Sequence, residues 1–176
     1  GNLAALWQES DRVAEAEQRY AHALKISREV DNRRSEASML TNLGQLYAKS
    51  GRNQLALQTY QRAVELDCAV GNRRGEGISR GNLGALHTRL GRPDQGLPEL
   101  ERALELHRAS QNRRFAGIHG ADHALCLLAL GRHDQARQAW QQAAATLREI
   151  GDETWLERKA EEMRQACQSA GAAGVW

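Results

Sequence analysis

Several kinds of residue are scarce in this chain, and each shortage removes a class of protein. Cysteine occurs three times, at Cys68, Cys126 and Cys167, an odd number with no metal-type spacing. Neither a disulfide framework nor a zinc site is implied, and a reducing cytoplasm is the simplest setting. No long apolar run occurs, so no transmembrane helix is expected, and no stretch reads as a secretory signal. Phe occurs once and the hydrophobic fraction is 41%, which suits thin, layered burial better than one thick core. An excess of one charge is missing too: 24 Lys and Arg face 22 Asp and Glu, a net charge of +2. A strong global pull on nucleic acid or a membrane surface is therefore not expected, although a local basic face is compatible with that balance. Only three of the basic residues are lysines (Lys25, Lys49 and Lys159), and the richness in Arg and Ala points to a GC-rich bacterial source.

Catalytic constellations are also lacking. No nucleophile stands with a base, no carboxylates are paired for acid–base work, and the glycines do not form a phosphate-cradling strand-to-helix loop. No stretch alternates as a strand would. The expectation is a chain that is not an enzyme and needs no cofactor.

What is present is a period. Gly71-Asn-Arg-Arg-Gly-Glu-Gly77 leads into Asn82-Leu-Gly-Ala-Leu86 and then Gly91-Arg92. Forty residues earlier stand Asp31-Asn-Arg-Arg34, Asn42-Leu-Gly44 and Gly51-Arg52; forty later stand Gln111-Asn-Arg-Arg114 and Gly131-Arg132. Residues 41–80 laid on 81–120 agree at 17 of 40 positions without a gap. A fixed period of this size is the mark of stacked supersecondary units.

Each unit reads as two helices. Apolar residues at Leu43, Leu46 and Tyr47, and at Leu57, Tyr60, Ala63 and Val64, step by three and four, the helical period. The first helix of a unit is expected at about residues 35–49, 75–90 and 115–130, with only its second half at residues 1–9. The second is expected at about residues 12–30, 53–70, 94–110 and 134–150. Asp11-Arg12, Gly51-Arg52, Gly91-Arg-Pro93 and Gly131-Arg-His133 read as tight turns between them, and turns that short make the neighbours antiparallel. Asn32, Asn72, Asn112 and Asp152 fall where a side-chain oxygen caps the following helix. Pro98, six residues into its helix, predicts a late start or a bend. After Asp152, Trp155, Leu156, Ala160, Met163 and Cys167 form one apolar stripe backed by charge, the design of a capping helix. The expected organisation is an array over residues 1–150, a capping helix over 151–170 and a tail over 171–176. The chain is read as part of a longer protein, with Leu3 and Trp7 left open at its start or paired with another copy.

The motif resembles tetratricopeptide repeats in their extended 40-residue, Leu-Gly-Asn form, similar to arrays in animal polarity adaptors and in large bacterial regulatory proteins. It is carried by Asn82, Leu83, Gly84, Leu86, Gly91, Leu100 and Ala103, and one unit earlier by Asn42, Leu43, Gly44, Tyr47, Gly51, Ala56, Tyr60 and Ala63. The resemblance implies an all-α, right-handed solenoid of antiparallel helix pairs whose first helices line a concave groove. It also implies a non-catalytic scaffold that binds a peptide or a partner segment, here within a larger bacterial signalling or regulatory protein. In such arrays the Asn matching Asn42 and Asn82 often holds the backbone or carboxylate of a bound peptide.

The residues expected to line the groove are Arg34, Asn42, Gln45, Arg74, Asn82 and Arg89. Arg33-Arg34, Arg73-Arg74 and Arg113-Arg114 each begin a first helix, where the helix dipole disfavours positive charge. One reading has them neutralise adjoining carbonyl ends or pair with Glu29, Glu36 and Glu76. The other makes them a ladder for an acidic or carboxylate-bearing partner. Two alternatives remain: nucleic-acid binding through the Arg pairs, and a metal site at His119 and His123, four apart on one helical face with no third ligand evident. At the repeat position of Leu43 and Leu83, His123 is expected to be a packed, hydrogen-bonded core residue.

Overall fold

The computed structural model describes the backbone of residues 2–169 and 171 and the side chains of 13–169 and 171. Leu3 and Trp7, expected to be open or paired with another copy, lie outside the described side chains. Eight helices account for the described chain: α1 (Asn2–Glu29), α2 (Arg33–Lys49), α3 (Asn53–Ala69), α4 (Arg73–Arg89), α5 (Pro93–Ala109), α6 (Arg113–Ala129), α7 (His133–Glu149) and α8 (Glu153–Ser169). From α2 onward every helix has 17 residues, and alternate helices start 40 residues apart. The fold is all-α and of the solenoid class, and among the described residues no helix is long and apolar enough to cross a membrane.

The chain divides into two compact units, Gly1–Gly75 and Glu76–Trp176. In the first, α2 packs on α1 and α3, and Leu24, Ala37, Leu40, Leu43, Ala63 and Leu66 share a core. In the second, α6 packs on α5, α7 and α8. Ile118, Ala144, Leu147 and Leu156 make one of its cores, and Ala124, Leu127, Ala136, Met163 and Cys167 another. Leu83 and Leu86 are buried as expected, whereas Leu46 is only partly covered.

Between first and second helices, Gly51, Gly91 and Gly131 take φ of 74°, 71° and 72°, a left-handed conformation that costs glycine least. The corresponding stretch Ser10-Asp11-Arg12 has no glycine, and there the expected turn is absent: α1 runs through as one helix. The half-helix and second helix expected at 1–9 and 12–30 are thus a single element. Pro98 neither delays nor ends α5, which starts on Pro93 in the register of its siblings. Pro98 and Asp94, whose carbonyl loses its usual donor, are both exposed residues, so the lost bond is not buried in a core.

Three of the four expected caps form. Asn32 Oδ1 accepts from the Ser35 amide at 3.1 Å, Asn72 Oδ1 from Gly75 at 3.3 Å and Asp152 Oδ1 from Trp155 at 3.3 Å. Asn112 is the exception: its side chain is buried and makes no cap bond, and the turn is held by the backbone bond from Ala116 to its carbonyl at 2.9 Å.

Candidate functional site

On a helix, residues 8 and 11 positions beyond Arg34 lie within an arc of about 80° of it, as do those 8 and 15 beyond Arg74. Arg34, Asn42 and Gln45 therefore form one stripe on α2, and Arg74, Asn82 and Arg89 one stripe on α4. Arg34, Asn42, Arg74 and Arg89 are exposed, and Gln45 and Asn82 are half-buried. The acids expected to neutralise the arginines are engaged elsewhere. Glu36 accepts from Arg28 Nε at 2.7 Å, Glu76 from Arg80 Nε at 2.8 Å, and Glu29 faces Lys25 at 3.9 Å. Among the described residues the side chains of Arg34, Arg74 and Arg89 make no hydrogen bond or ion pair, and the buried Nδ2 of Asn82 also lacks a partner.

The third Arg pair behaves differently. Arg113 pairs with Glu149, and Arg114 Nε donates to Asp152 at 2.7 Å, which holds the Asp152 carboxyl below the usual carboxylate range. One repeat back from Glu149 and Asp152 stand Ala109 and Asn112, and two back stand Ala69 and Asn72. Both arginines of the last pair are thus neutralised from beyond their own helix, whereas in the first pair only Arg33 is, by Asp31 at 3.1 Å, and the sequence places no carboxylate at the positions matching Glu149 and Asp152.

On α6 the position of Asn42 and Asn82 is taken by Asp122. It is buried under α8, whose Lys159 donates to Asp122 at 2.6 Å and to Glu162 at 2.6 Å. Burial opposes the Lys159 charge, but the two carboxylates outweigh it and raise the ammonium pKa. Repeat register gives no signal of this pair, because no earlier unit carries it. The stripe of α6 is in this way covered by the capping helix.

His119 and His123 do not converge. His119 is 1% exposed, and its Nδ1 lies 2.9 Å from Nε2 of the equally buried His107 on α5, with Phe115 against both rings. Gly81 of α4 admits it, since a Cβ there would collide with the His119 ring. The hydrogen-bonded core histidine is therefore His119 rather than His123, whose ring is half-buried with Nε2 unpartnered. Among the described residues no three His, Cys, Asp or Glu side chains converge as metal ligands. Burial lowers the pKa of both, that of His119 well below the ordinary imidazole value.

The sequence reading missed a cavity of about 930 Å³ between α5, α6 and α7. Its signal was available: Ala116 and Gly120 stand where earlier units carry Glu36 and Glu76, and Leu40 and Arg80.

Two tetratricopeptide-repeat family models match the chain, one over residues 1–69 and the other over 78–102 and 119–142. A comparison with curated proteins finds no match. Among solved structures, BtubC (BKLC) from P. vanneervenii is similar with a TM-score of 0.77 at 18% identity, over 98% of this chain and 72% of that one, a likeness of fold alone. Helix pairs at a 40-residue step, glycine turns between their members and these matches lead to one conclusion: the chain belongs to the tetratricopeptide repeat family, whose members serve as protein-interaction scaffolds.

Proposed function

We propose that this chain is a non-catalytic interaction module that binds peptides or partner segments through exposed polar residues of its first helices, within a larger bacterial signalling or regulatory protein. Arg34, Asn42 and Gln45 on α2, and Arg74, Asn82 and Arg89 on α4, are the binding residues. The observation that carries the reading is that Arg34 and Arg74 open their helices without any acidic partner. Positive charge in a first turn opposes the helix dipole, so these arginines cost stability where they stand. Guanidinium offers paired donors that suit a carboxylate, and an Asn amide suits an extended backbone lacking its own partners. The partner is accordingly acidic or carboxylate-bearing.

The test is a titration of Asp/Glu-rich peptides, with their Asn/Gln counterparts as controls, into the chain and into Arg74→Ala. Acidic peptides bind and the controls do not; the substitution weakens binding by about 1–3 kcal/mol where the charged bond is sheltered in the complex. The melting midpoint does not fall, because Arg74 has no ion pair to lose and its charge opposes the helix dipole. An Arg74→Ala chain that melts early but binds with unchanged affinity would make the arginine structural and overturn the proposal.

A further inference from the structure

The cavity in the second unit has α6 as its floor and α5 and α7 as its walls. Its floor is one stripe, Ala116, Gly120, His123 and Leu127, at steps of four, three and four. This stripe lies on the other side of α6 from Arg114, Ala121 and Leu125.

The space exists because bulk and charge have been deleted at fixed repeat positions. In α2, Leu40 fills the place of Gly120 and packs with Leu24 and Ala63, while Glu36, in the place of Ala116, bonds Arg28. In α4, Arg80 and Glu76 hold those places, and Arg80 bonds Glu76 at 2.8 Å and Glu99 of α5 at 2.7 Å. The wall has changed likewise. Arg62 and Arg102 pair with Glu65 and Glu105 three residues on, whereas α7 has Gln142 and Ala145 at those positions.

What replaces them is amide. Gln135, Gln138 and Gln142 line α7 at steps of three and four, and Gln111 stands across from them. A glutamine amide both donates and accepts, so a row of them matches the alternating N–H and C=O groups of an extended chain without selecting its side chains. Leu104 and Leu127 add apolar surface. The charge at the cavity is uneven: Arg108 and Arg132 make no ion pair among the described residues, and Glu101 is the one acid in the lining. Nε2 of His123 is buried in the floor without a partner. From Gln135 to Thr146 the wall rises about 17 Å at ~1.5 Å per residue, which accommodates about five extended residues at ~3.3 Å each.

We propose that this cavity is a second binding site, which takes an extended peptide of about five residues from a partner protein. The glutamine amides hold its backbone, and Arg108 or Arg132 holds an acidic side chain. The site shares no residue with the α2 and α4 stripes and stands or falls independently of them.

The probe is a positional-scanning library of fluorescein-labelled, C-terminally amidated hexapeptides, titrated by polarisation into the full chain. Expected is a subset of binders carrying one Asp or Glu. The double variant Ala116→Glu/Gly120→Arg, which restores the residues of the preceding unit, weakens that subset at least tenfold. A Cβ at Gly120 would lie 3.1 Å from Ala143 Cβ, so this variant is checked for helical circular dichroism. If it fails to fold, Gln138→Ala/Gln142→Ala decides, since both side chains are exposed and their loss leaves the core intact. Tenfold weakening by that variant supports the site. A library with no binder, or binders indifferent to whichever folded double variant is tested, overturns it. Arg74→Ala reports on the other surface, so failure of either proposal shows separately.

Discussion

At the residue scale, the contact between Gly81 and His119 shows how one missing Cβ admits a large polar ring into a thin core. The space at Gly81 is occupied by the His119 imidazole, which is itself held by His107. Gly81→Ala forces that ring out of a packed and hydrogen-bonded place. A loss of about 1–3 kcal/mol is expected, the usual cost of overpacking, although Ala is the better helix former. Denaturant melts of Gly81→Ala, His119→Ala and the double variant form a cycle. The double variant should lose less than the sum of the singles, because removing the ring removes the clash. Strict additivity would show that the two positions do not share the space.

At the element scale, α8 is attached to α6 by more than its apolar stripe. Leu156, Met163 and Cys167 are buried as the spacing predicts, but Lys159 is buried among them and neutralises Asp122. Removing one member of such a pair strands the other charge in a dry place. Lys159→Met should therefore cost about 3–5 kcal/mol, whereas Asp122→Leu/Lys159→Met should recover most of the loss. Guanidinium melts monitored by helical circular dichroism would check both. A single variant as stable as the parent would mean that water reaches Asp122. Pro98 and the unbroken α1 belong to the same scale. Pro98 is tolerated at an exposed position of α5, and the turn expected near residues 10–12 is absent, although Asp31 and Gln111 form their turns at φ of 47° and 51° without glycine.

At the scale of the whole molecule, the buried histidines couple stability to pH. Burial, then the neighbouring charges of His107 and Lys159, depress the pKa of His119; burial chiefly depresses those of His87 and His123. In the unfolded chain these rings titrate near 6.5. Below that value the unfolded state binds more protons than the folded one, so stability falls as pH falls. Unfolding midpoints measured between pH 7.5 and 5.5 should drop, and His119→Asn should flatten the slope even though it lowers the midpoint at neutral pH. A midpoint independent of pH over that range would contradict this assignment. The carboxylates held low by arginine, Glu17 and Asp152, lose their contribution only at more acidic pH.

The sequence by itself determined the helices, their 40-residue step, the glycine turns and the family, because these depend on local periodicity and on backbone conformation that one residue type adopts most readily. It also determined the α2 and α4 stripes, since helical spacing alone places Arg34 with Asn42 and Arg74 with Asn82. The tertiary structure decided what long-range pairing controls. Arg113 and Arg114 are neutralised, while Arg34 and Arg74 are not, because only the last unit brings Glu149 and Asp152 within reach. It chose His119 rather than His123 for the core, through a gap on another helix at Gly81. It also turned two small residues, Ala116 and Gly120, into a cavity, because whether a missing side chain leaves a void depends on the neighbours that could have closed over it.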